Sequence, residues 1–294
     1  ADMVAAVVKA APATAAVTDA YDFDAMQIVI ERQSELRLDA RRLTDILAVL
    51  AEACPSSVTR REVPKMAEAA NWKKHAKVIG KRCGRSPVHM VCERPDVTPE
   101  MIEALVSRND QAYVLQDDLG RTPLHTLCEN PRVNGQLVRT LLKMGVAAAW
   151  MADSHGLTPL QSVCKCNPGC SVQILQLLAF AYPGAAGLPD ERGQTAAHLL
   201  SLRTDIKGQT LELMLQVVAR AAQNELILQD HAERATALHY LCRRADVTPQ
   251  MLSTILRYNS RVASKQDRRR RTALHWLCMA PHKGSESDVS EELI

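Results

Sequence analysis

The sequence predicts an all-α solenoid of stacked helix-turn-helix pairs that are joined by turns or short β-like loops. Two observations lead to this fold class. A turn followed by a helix start recurs six times at nearly constant intervals, which is the signature of a repeat array. Each copy is followed, after a loop, by a segment whose apolar side chains recur at helical spacing, and such a stripe is buried only against a neighbouring repeat.

The most complete copy of the helix start is Gly120-Arg121-Thr122-Pro123-Leu124-His125. Thr122 is a residue type that caps helix N-termini, and Pro123 suits the first helical position because it has no N–H to leave unbonded. Gly120 allows the tight turn before the helix. The residues at the position of His125 are separated by 36, 36, 37, 41 and 36 residues, and they are His89, His125, Gln161, His198, His239 and His275.

The histidine position lies three residues after the cap, where the side chain can bond backbone or hydroxyl groups of its own turn and of the neighbouring one. Catalysis or metal binding needs side chains that converge on one point, whereas this period spreads them along a stack. We therefore predict a structural role for the recurrent threonines and histidines. These are Thr122, His125, Thr158, Thr195, His198, Thr236, His239, Thr272 and His275.

The Thr-Pro-Leu-His core, with a small residue three places later, resembles the ankyrin repeat, whose usual period is about 33 residues. The resemblance implies a first helix, a loop, a second helix and a return loop in each repeat, and a scaffold that binds other proteins. The extra residues of each copy fall mostly between the two helices, as at 129–135, where the family's Gly-His dipeptide is missing. The sequence thus resembles a divergent, long-loop ankyrin repeat.

The repeats also predict the domain organisation. Residues 1–40 are an N-terminal arm and helix, 41–82 are a degenerate capping repeat without the helix-start pattern, and 83–294 are six ankyrin-like repeats, the last incomplete. The capping repeat rests on residues 54–59, which echo the loop between two helices at 92–98. Residues 288–294 match the start of the second helix at 96–102, so we expect the natural polypeptide to continue or a partner to cover this end.

Aspartates precede the glycine position by three residues in four copies, at Asp117, Asp153, Asp190 and Asp267. An aspartate there bonds its own downstream backbone, which favours a turn residue over an acid or base. The sequence has no nucleophile elbow, catalytic triad, phosphate loop or dinucleotide fingerprint. We therefore predict that the chain is not an enzyme and that it uses no cofactor.

Composition and cysteine placement bound the class of protein. The chain has 294 residues, 47% of them hydrophobic, a net charge of +3 and no apolar run near the ~20 residues of a membrane span. Five of its nine cysteines recur three residues after the histidine position, too far apart to bridge, and they are Cys92, Cys128, Cys164, Cys242 and Cys278. Reduced thiols and an odd total favour an intracellular, reducing compartment. The cytoplasm is preferred, and an organelle interior stays open.

One cluster could carry metal chemistry: Cys164, Cys166 and Cys170, with His155 upstream. Three thiols and an imidazole are zinc ligands, but the spacing of these thiols matches no common zinc pattern. Cys164 is already accounted for by the repeat. We predict no bound metal, and a zinc site is the alternative.

A partner surface is mapped through the resemblance to ankyrin domains, which implies contacts on the turn tips and on the exposed ends of the first helices along a concave face. The mapped positions are the residue after the glycine position and the fourth and fifth residues after the histidine position. Of these eighteen residues eight are basic and two acidic, which suggests an acidic protein partner. With the last turn tip, the predicted contacts are Arg85, Arg94, Arg121, Lys165, Arg203, Arg243, Arg244, Arg268, Arg269 and Arg271.

Two other functions stay open. The same arginines, and a basic stretch without acids at 71–92, would suit nucleic acid, although the ten aromatic residues form no stacking array. The Ala/Val-rich N-terminal arm would suit a structural subunit docked permanently in a larger assembly. Stoichiometric co-purification of partners separates this last function from that of a transient adaptor.

Overall fold

The computed structural model describes residues 2–18, 24–36, 38–59, 84–107, 109, 111–167 and 170–280. These residues form α-helices and short 3₁₀ turns, and among them there is no β-strand. The chain divides into two compact units, Ala1–Ser154 and His155–Ile294, which we call unit 1 and unit 2.

Unit 1 contains three successive helix pairs that pack in two layers. The helices are α1 (Asp2–Ala10), α2 (Ala25–Glu31), α3 (Gln33–Leu36), α4 (Ala40–Ala53), α5 (Pro87–Glu93), α6 (Pro99–Val106), α7 (Pro123–Glu129) and α8 (Gly135–Met144). First helices contact first helices (α2 with α5, and α5 with α7), and second helices contact second helices (α4 with α6, and α6 with α8). The N-terminal helix α1 packs on α4.

Unit 2 repeats the same arrangement. Its helices are α9 (Pro159–Cys166), α10 (Val172–Ala181), α11 (Ala196–Leu202), α12 (Gly208–Ala221), α13 (Ala237–Cys242), α14 (Pro249–Tyr258) and α15 (Ala273–Met279). Each first helix packs on the next one (α9, α11, α13 and α15), and each second helix does the same (α10, α12 and α14). The all-helical stack of pairs predicted from the sequence is therefore confirmed.

Side-chain caps explain where most second helices begin. Thr98 accepts a hydrogen bond from the backbone of Met101, and Thr248 does the same for Met251; each is followed by a proline at the first helical position. Asn134 and Ser171 cap α8 and α10 in the same way. These caps bond N–H groups that have no partner inside the helix. Each helix then buries its apolar stripe, with side chains such as Leu211 and Met214 of α12 in the core.

The first helix pair differs from the sequence prediction. Asp24 and Gln27 form a reciprocal capping box that begins α2, and α4 packs on α6 as a second helix. Residues 54–59, expected in the loop between two helices, follow α4 as a 3₁₀ turn at Pro55–Thr59. A Cys-Pro pattern marks a turn without showing which helix precedes it. Residues 60–83 and 281–294 lie outside the described part, so the boundaries of the capping repeat and of the last repeat stay predictions.

The turns before α5, α7, α9, α11, α13 and α15 each contain a residue with a left-handed backbone. Glycine fills this position at Gly84, Gly120, Gly156 and Gly193, with φ between 70° and 77°. Arg234 and Arg270 replace it in the last two repeats and adopt φ values of 53° and 61°. The fifth copy has an extra residue and was expected to be irregular, yet Asp230 still closes its turn by accepting a hydrogen bond from the Ala235 N–H at 2.9 Å.

We expect Arg270→Gly to raise the free energy of unfolding by about 0.5–1 kcal/mol, because glycine reaches positive φ without the steric penalty of a side chain. Gly120→Ala is the opposite change. Its Cβ would lie 2.9 Å from the Ser154 backbone nitrogen, so we expect a loss of stability by more than about 1 kcal/mol. Urea denaturation of both variants measures these changes, and a less stable Arg270→Gly protein would show that the arginine side chain stabilises the turn.

Candidate partner-binding surface

Three of the recurrent histidines, His89, His198 and His239, join their first helix to the next repeat of the same unit. His89 Nδ1 accepts the Ser86 backbone N–H at 3.2 Å, so the ring proton is on Nε2, which donates to the Arg121 carbonyl at 2.9 Å. His198 and His239 make the same contacts, donating to the carbonyls of Ala235 and Arg271 at 3.2 Å. Burial lowers the pKa of His89 to about 4 and lowers the pKa of His198 and His239 as well. These histidines are neutral groups that join repeats.

The threonines of the repeated pattern lie where the sequence placed them, at the starts of the first helices. Thr122 and His125 form a reciprocal capping box, in which the Thr122 backbone N–H donates to His125 Nδ1 at 3.1 Å. Thr195, Thr236 and Thr272 form the same box with the histidine that follows each of them. All of these residues except Thr272 and His275 are buried, so they contribute to the core.

Gln161 replaces the histidine in the third repeat and keeps its bonds. Its side-chain oxygen accepts the Thr158 backbone N–H at 2.8 Å, and its Nε2 donates to the Leu188 carbonyl at 2.7 Å and the Gln194 carbonyl at 3.2 Å. Thr158 is buried and caps the helix as the other threonines do. The amide of Gln161 therefore makes the same kinds of hydrogen bond as the imidazole but cannot titrate.

Arg203 and Arg244, expected to face a partner, are buried with 8% exposure each. The Arg203 guanidinium donates to the carbonyls of Val163 at 3.3 Å and Asn167 at 2.8 Å, at the end of the preceding first helix. Its outer edge pairs with Asp205. The last carbonyls of a helix accept no hydrogen bond within the helix, so a cationic side chain can donate to them. The outward orientation predicted for these two arginines is wrong because a long side chain reaches back to the repeat before it.

Arg244 repeats this arrangement one repeat later. It donates to the carbonyls of Arg203 and, at 2.9 Å, Ile206, and it pairs with Asp246 at 2.9 Å. We call the pair Arg203 and Arg244 the arginine clasps. In unit 1, Arg94 fills the same position and donates to the Ile30 carbonyl at 3.2 Å. In the next repeat a shorter side chain does so: Asn130 donates its amide protons to the carbonyls of Cys92 and Arg94 at 2.9 and 2.7 Å.

The other predicted contacts of unit 1 are also engaged within the chain. Arg85 is only 4% exposed and pairs with Glu93 and Glu31, so its predicted outward position is wrong as well. Arg94 pairs with Asp96 at 2.7 Å. Arg121 pairs with Asp117 at 2.7 Å and with Glu129 at 3.1 Å. Each of these three arginines is therefore paired with at least one acidic side chain of unit 1.

In unit 2, Arg271 pairs with Asp267 at 2.8 Å and lies over the ring of Trp276, with its guanidinium carbon 5.4 Å from the ring centroid. The remaining predicted contacts, Lys165, Arg243, Arg268 and Arg269, are all exposed. They all belong to unit 2. The predicted set thus falls into two groups. Some arginines bond to carbonyls or acidic side chains of the chain itself, and the other cations are exposed to solvent.

The sequence mapping missed Arg192, an exposed cation at a turn tip. Backbone bonds between consecutive tips fix its position: His231 N–H donates to the Arg192 carbonyl at 2.8 Å, and Arg268 N–H donates to the Glu233 carbonyl at 2.7 Å. At this turn the mapping used only Gln194, the residue after the glycine, whereas the tip is formed by the pair of residues before the glycine. The Asp-x-x-Gly turn itself was the signal that could have located Arg192.

A groove of about 620 Å³ opens in unit 2 beside two of the exposed cations, Lys165 and Arg192. Its wall combines cations with apolar groups and is formed by Lys165, Arg192, Gln194, Leu199, Leu202, Arg203, Thr204 and Asp205. Since Arg203 and Asp205 neutralise each other, Lys165 and Arg192 leave the groove with a surplus of positive charge. A smaller cavity in unit 1, about 120 Å³, is lined by Ile30, Glu31, Met90, Glu93 and Arg94.

The described residues contain no group of three His, Cys, Asp or Glu side chains that could hold a metal ion. Cys164 is buried, and burial raises the pKa of the Cys170 thiol to about 12, which favours the protonated form over a metal-binding thiolate. His155 lies 3.8 Å from the Glu191 carboxylate. Within the same residues, no helix is long and apolar enough to span a bilayer.

No model of a known protein family matches the chain, and no curated protein sequence matches it. The solved structure of EF0377, an ankyrin repeat protein, matches with a TM-score of 0.52 and 15% identity, over 80% of this chain and 96% of its own. A chain in the complex of the Bd0816 predatory endopeptidase from Bdellovibrio bacteriovorus with immunity protein Bd3460 matches with a TM-score of 0.50 and 18% identity, over 66% and 91% respectively. Together with the repeated helix pairs, these likenesses show that this chain has an ankyrin-like repeat fold.

Proposed function

We propose that this protein is a non-catalytic scaffold that binds an acidic protein partner on a basic face of unit 2. The basic face comprises Lys165, Arg192, Arg243, Arg268 and Arg269, which lie on turn tips or at the ends of first helices. Their exposure, together with the groove that Lys165 and Arg192 line beside Leu199 and Leu202, is the observation that carries the proposal. Cations at the rim of an interface speed association with an acidic partner and fix its orientation.

The absence of catalysis in this proposal follows from what the polar side chains already do. The repeated histidines are neutral and bonded to the backbone, as described above, and turn aspartates such as Asp190 accept backbone N–H groups at 2.7 and 2.9 Å. Burial raises the pKa of Cys242 to about 12, which makes a nucleophilic thiolate scarce. One of the similar structures is itself a complex of two proteins, which agrees with a binding role.

The charge of the basic face is tested with a double variant, Lys165→Glu with Arg243→Glu. The matched control is Arg220→Glu with Arg257→Glu, which reverses two exposed cations on the second helices of the same unit. Binding of a labelled polyglutamate peptide, measured by fluorescence anisotropy, should weaken by about tenfold or more in the first variant and lose much of its salt dependence. The control should stay within about twofold of the parent protein.

Three results would count against this proposal. Equal weakening in both double variants would show that polyglutamate responds only to net charge. Binding of polylysine in place of polyglutamate would give the partner the wrong sign. Tighter binding of a single-stranded oligonucleotide, lost in the first variant, would favour the nucleic-acid function.

A second candidate, a structural subunit of a larger assembly, is favoured by apolar side chains exposed at the end of α10 and in the segment that follows it. Phe180 is 79% exposed, and Tyr182 and Leu188 are 36% and 39% exposed. Large apolar groups that cluster at a surface mark protein contacts. Purification from native extract would recover stoichiometric partners at high salt if this candidate is correct, whereas an acidic partner on the basic face would dissociate as salt rises.

A further inference from the structure

One row of side chains in unit 2 combines charge with apolar groups in a regular order. The row is formed by the fourth residue after the histidine position in each repeat, and its members in chain order are Lys165, Leu202, Arg243 and Met279. All four are exposed, with exposures of 43% for Leu202 and 66% for Met279. We call these four residues the inner row. Cations and apolar side chains alternate along it.

Unit 1 has no such pattern at the same position. Glu93 and Glu129 fill it there, and they are paired with Arg85 and Arg121. The Arg85 and Arg121 side chains, 4% and 18% exposed, hold these carboxylates within the repeat. The alternating row is therefore a property of unit 2.

The groove described above lies at the start of the inner row, where Lys165 and Leu202 share its wall. Arg192, at a turn tip, is a second cation in the wall. Leu199 also lines the groove, although only 4% of its surface is exposed. Asp205 is the one acid of the wall, and its ion pair with Arg203 neutralises it. A ligand in this groove therefore meets positive charge and apolar surface within one volume, whose size is in the range of about 300–1,000 Å³ typical of binding pockets.

The distance between successive members of the inner row indicates which backbone conformation a bound peptide would need. Packed helices lie roughly 8–10 Å apart, so successive members of the row belong to helices at that separation. A polyproline II segment has three residues per turn and rises about 3.1 Å per residue, which brings every third side chain to one face at intervals of about 9 Å. Every third residue of such a segment can therefore face one repeat.

From charge and spacing together, we propose that the inner row binds an extended acidic segment in which carboxylates and apolar side chains alternate at every third residue. The carboxylates meet Lys165 and Arg243, and the apolar side chains meet Leu202 and Met279. This inference rests on the proposed function, because it specifies the acidic partner of the basic face. It adds a spacing and an apolar requirement, and neither follows from charge alone.

The test uses a labelled ten-residue peptide in which glutamate and leucine alternate at every third residue and proline fills the positions between. A second peptide carries the same alternation in reverse order, because the direction of the bound segment is open. A third peptide has the same composition with its two glutamates adjacent. We expect one of the first two peptides to bind the full chain at least about tenfold more tightly than the third, measured by fluorescence anisotropy.

Two variants separate the apolar contacts from the charges. Leu202→Ser with Met279→Ser should weaken the alternating peptide by about fivefold or more and leave the third peptide unchanged, since only the first needs the apolar contacts. Lys165→Glu with Arg243→Glu should weaken every acidic peptide. Both variants change exposed side chains, and far-UV circular dichroism confirms that they fold.

The outcomes distinguish this inference from the proposed function. If all acidic peptides bind equally and all respond to charge reversal, the basic face stands and the inner row is overturned. Preference for a helical peptide that carries the same side chains seven residues apart would also overturn it, since a helix repeats at about 10 Å over that interval. If no acidic peptide binds, both proposals fail.

Discussion

Arg244→Glu is expected to lower the free energy of unfolding by roughly 3 kcal/mol or more. The substitution removes buried, charge-assisted bonds to the carbonyls of Arg203 and Ile206 and leaves Asp246 without its cation. It also places a carboxylate against carbonyl oxygens that carry the negative end of a helix dipole. Each of these effects acts against the packing of α13 on α11.

The adjacent residue is a matched control. Arg243 is exposed at the end of the same helix, so Arg243→Glu should change the free energy of unfolding by about 1 kcal/mol or less. Arg244→Met keeps an apolar stem without the charge, and we expect a stability between those of the two glutamate variants. Urea denaturation followed by circular dichroism gives all three values. Similar stabilities for Arg243→Glu and Arg244→Glu would mean that the clasp contributes nothing to folding.

The clasps show where sequence reasoning stops. Position within a period fixes the site of the α-carbon, but the direction of a long side chain depends on which acceptors lie within its reach. The carbonyls that hold Arg203 belong to the preceding repeat and are about 40 residues away in sequence. A local signal existed all the same, since Arg94, Arg203 and Arg244 are each followed two residues later by an aspartate that pairs with them.

The helix starts were predictable because their chemistry is local. A turn aspartate, a threonine cap and a proline at the first helical position lie close together in sequence, as at Asp117, Thr122 and Pro123, and the structure contains them as described. The helix start of the first pair does not match the repeated pattern, because its capping box is made by Asp24 and Gln27, which form the same two bonds with other residue types. The same capping hydrogen bonds can therefore be made by different pairs of residue types, which a search for one sequence pattern does not find.

The candidate surface was only partly predictable for a related reason. Charge counts along the sequence treat all cations alike, whereas the structure divides them by their bonding. Lys165 and Arg243 remain on the surface, while Arg85 is paired with acids inside unit 1. Position in the repeat fails to predict this difference, because pairing depends on side chains from other helices.

Acid should destabilise the protein well before its carboxylates are protonated. Burial lowers the pKa of His89 from 6.5 to about 4, so between these values the unfolded chain binds more protons than the folded one. Stability is then complete above about pH 6.5 and falls as the pH decreases towards 4. His89 alone accounts for a loss on the order of 3 kcal/mol, and His198 and His239 change in the same direction.

The third repeat supplies the variant that tests this origin. Gln161 makes the bonds of the histidine without titrating, so replacing His89, His198 and His239 together by glutamine should preserve the fold and flatten the stability profile between pH 6.5 and 4. Comparison with the parent protein cancels the acids that both share. Asp267 does not enter this window: burial raises its pKa, but hydrogen bonds from Arg271 and Trp276 outweigh that effect and hold the pKa below 3.8.

Denaturant titrations of the parent and the triple glutamine variant at several pH values measure the difference directly. Above pH 6.5 the two stability profiles should run parallel, separated by a constant difference. Below pH 6.5 they should diverge, because only the parent protein buries neutral imidazoles that the unfolded chain protonates. Parallel profiles down to pH 4 would mean that the histidines titrate normally in the folded protein. The neutral, backbone-bonded state assigned to them would then be wrong, and the imidazoles would be available for other chemistry.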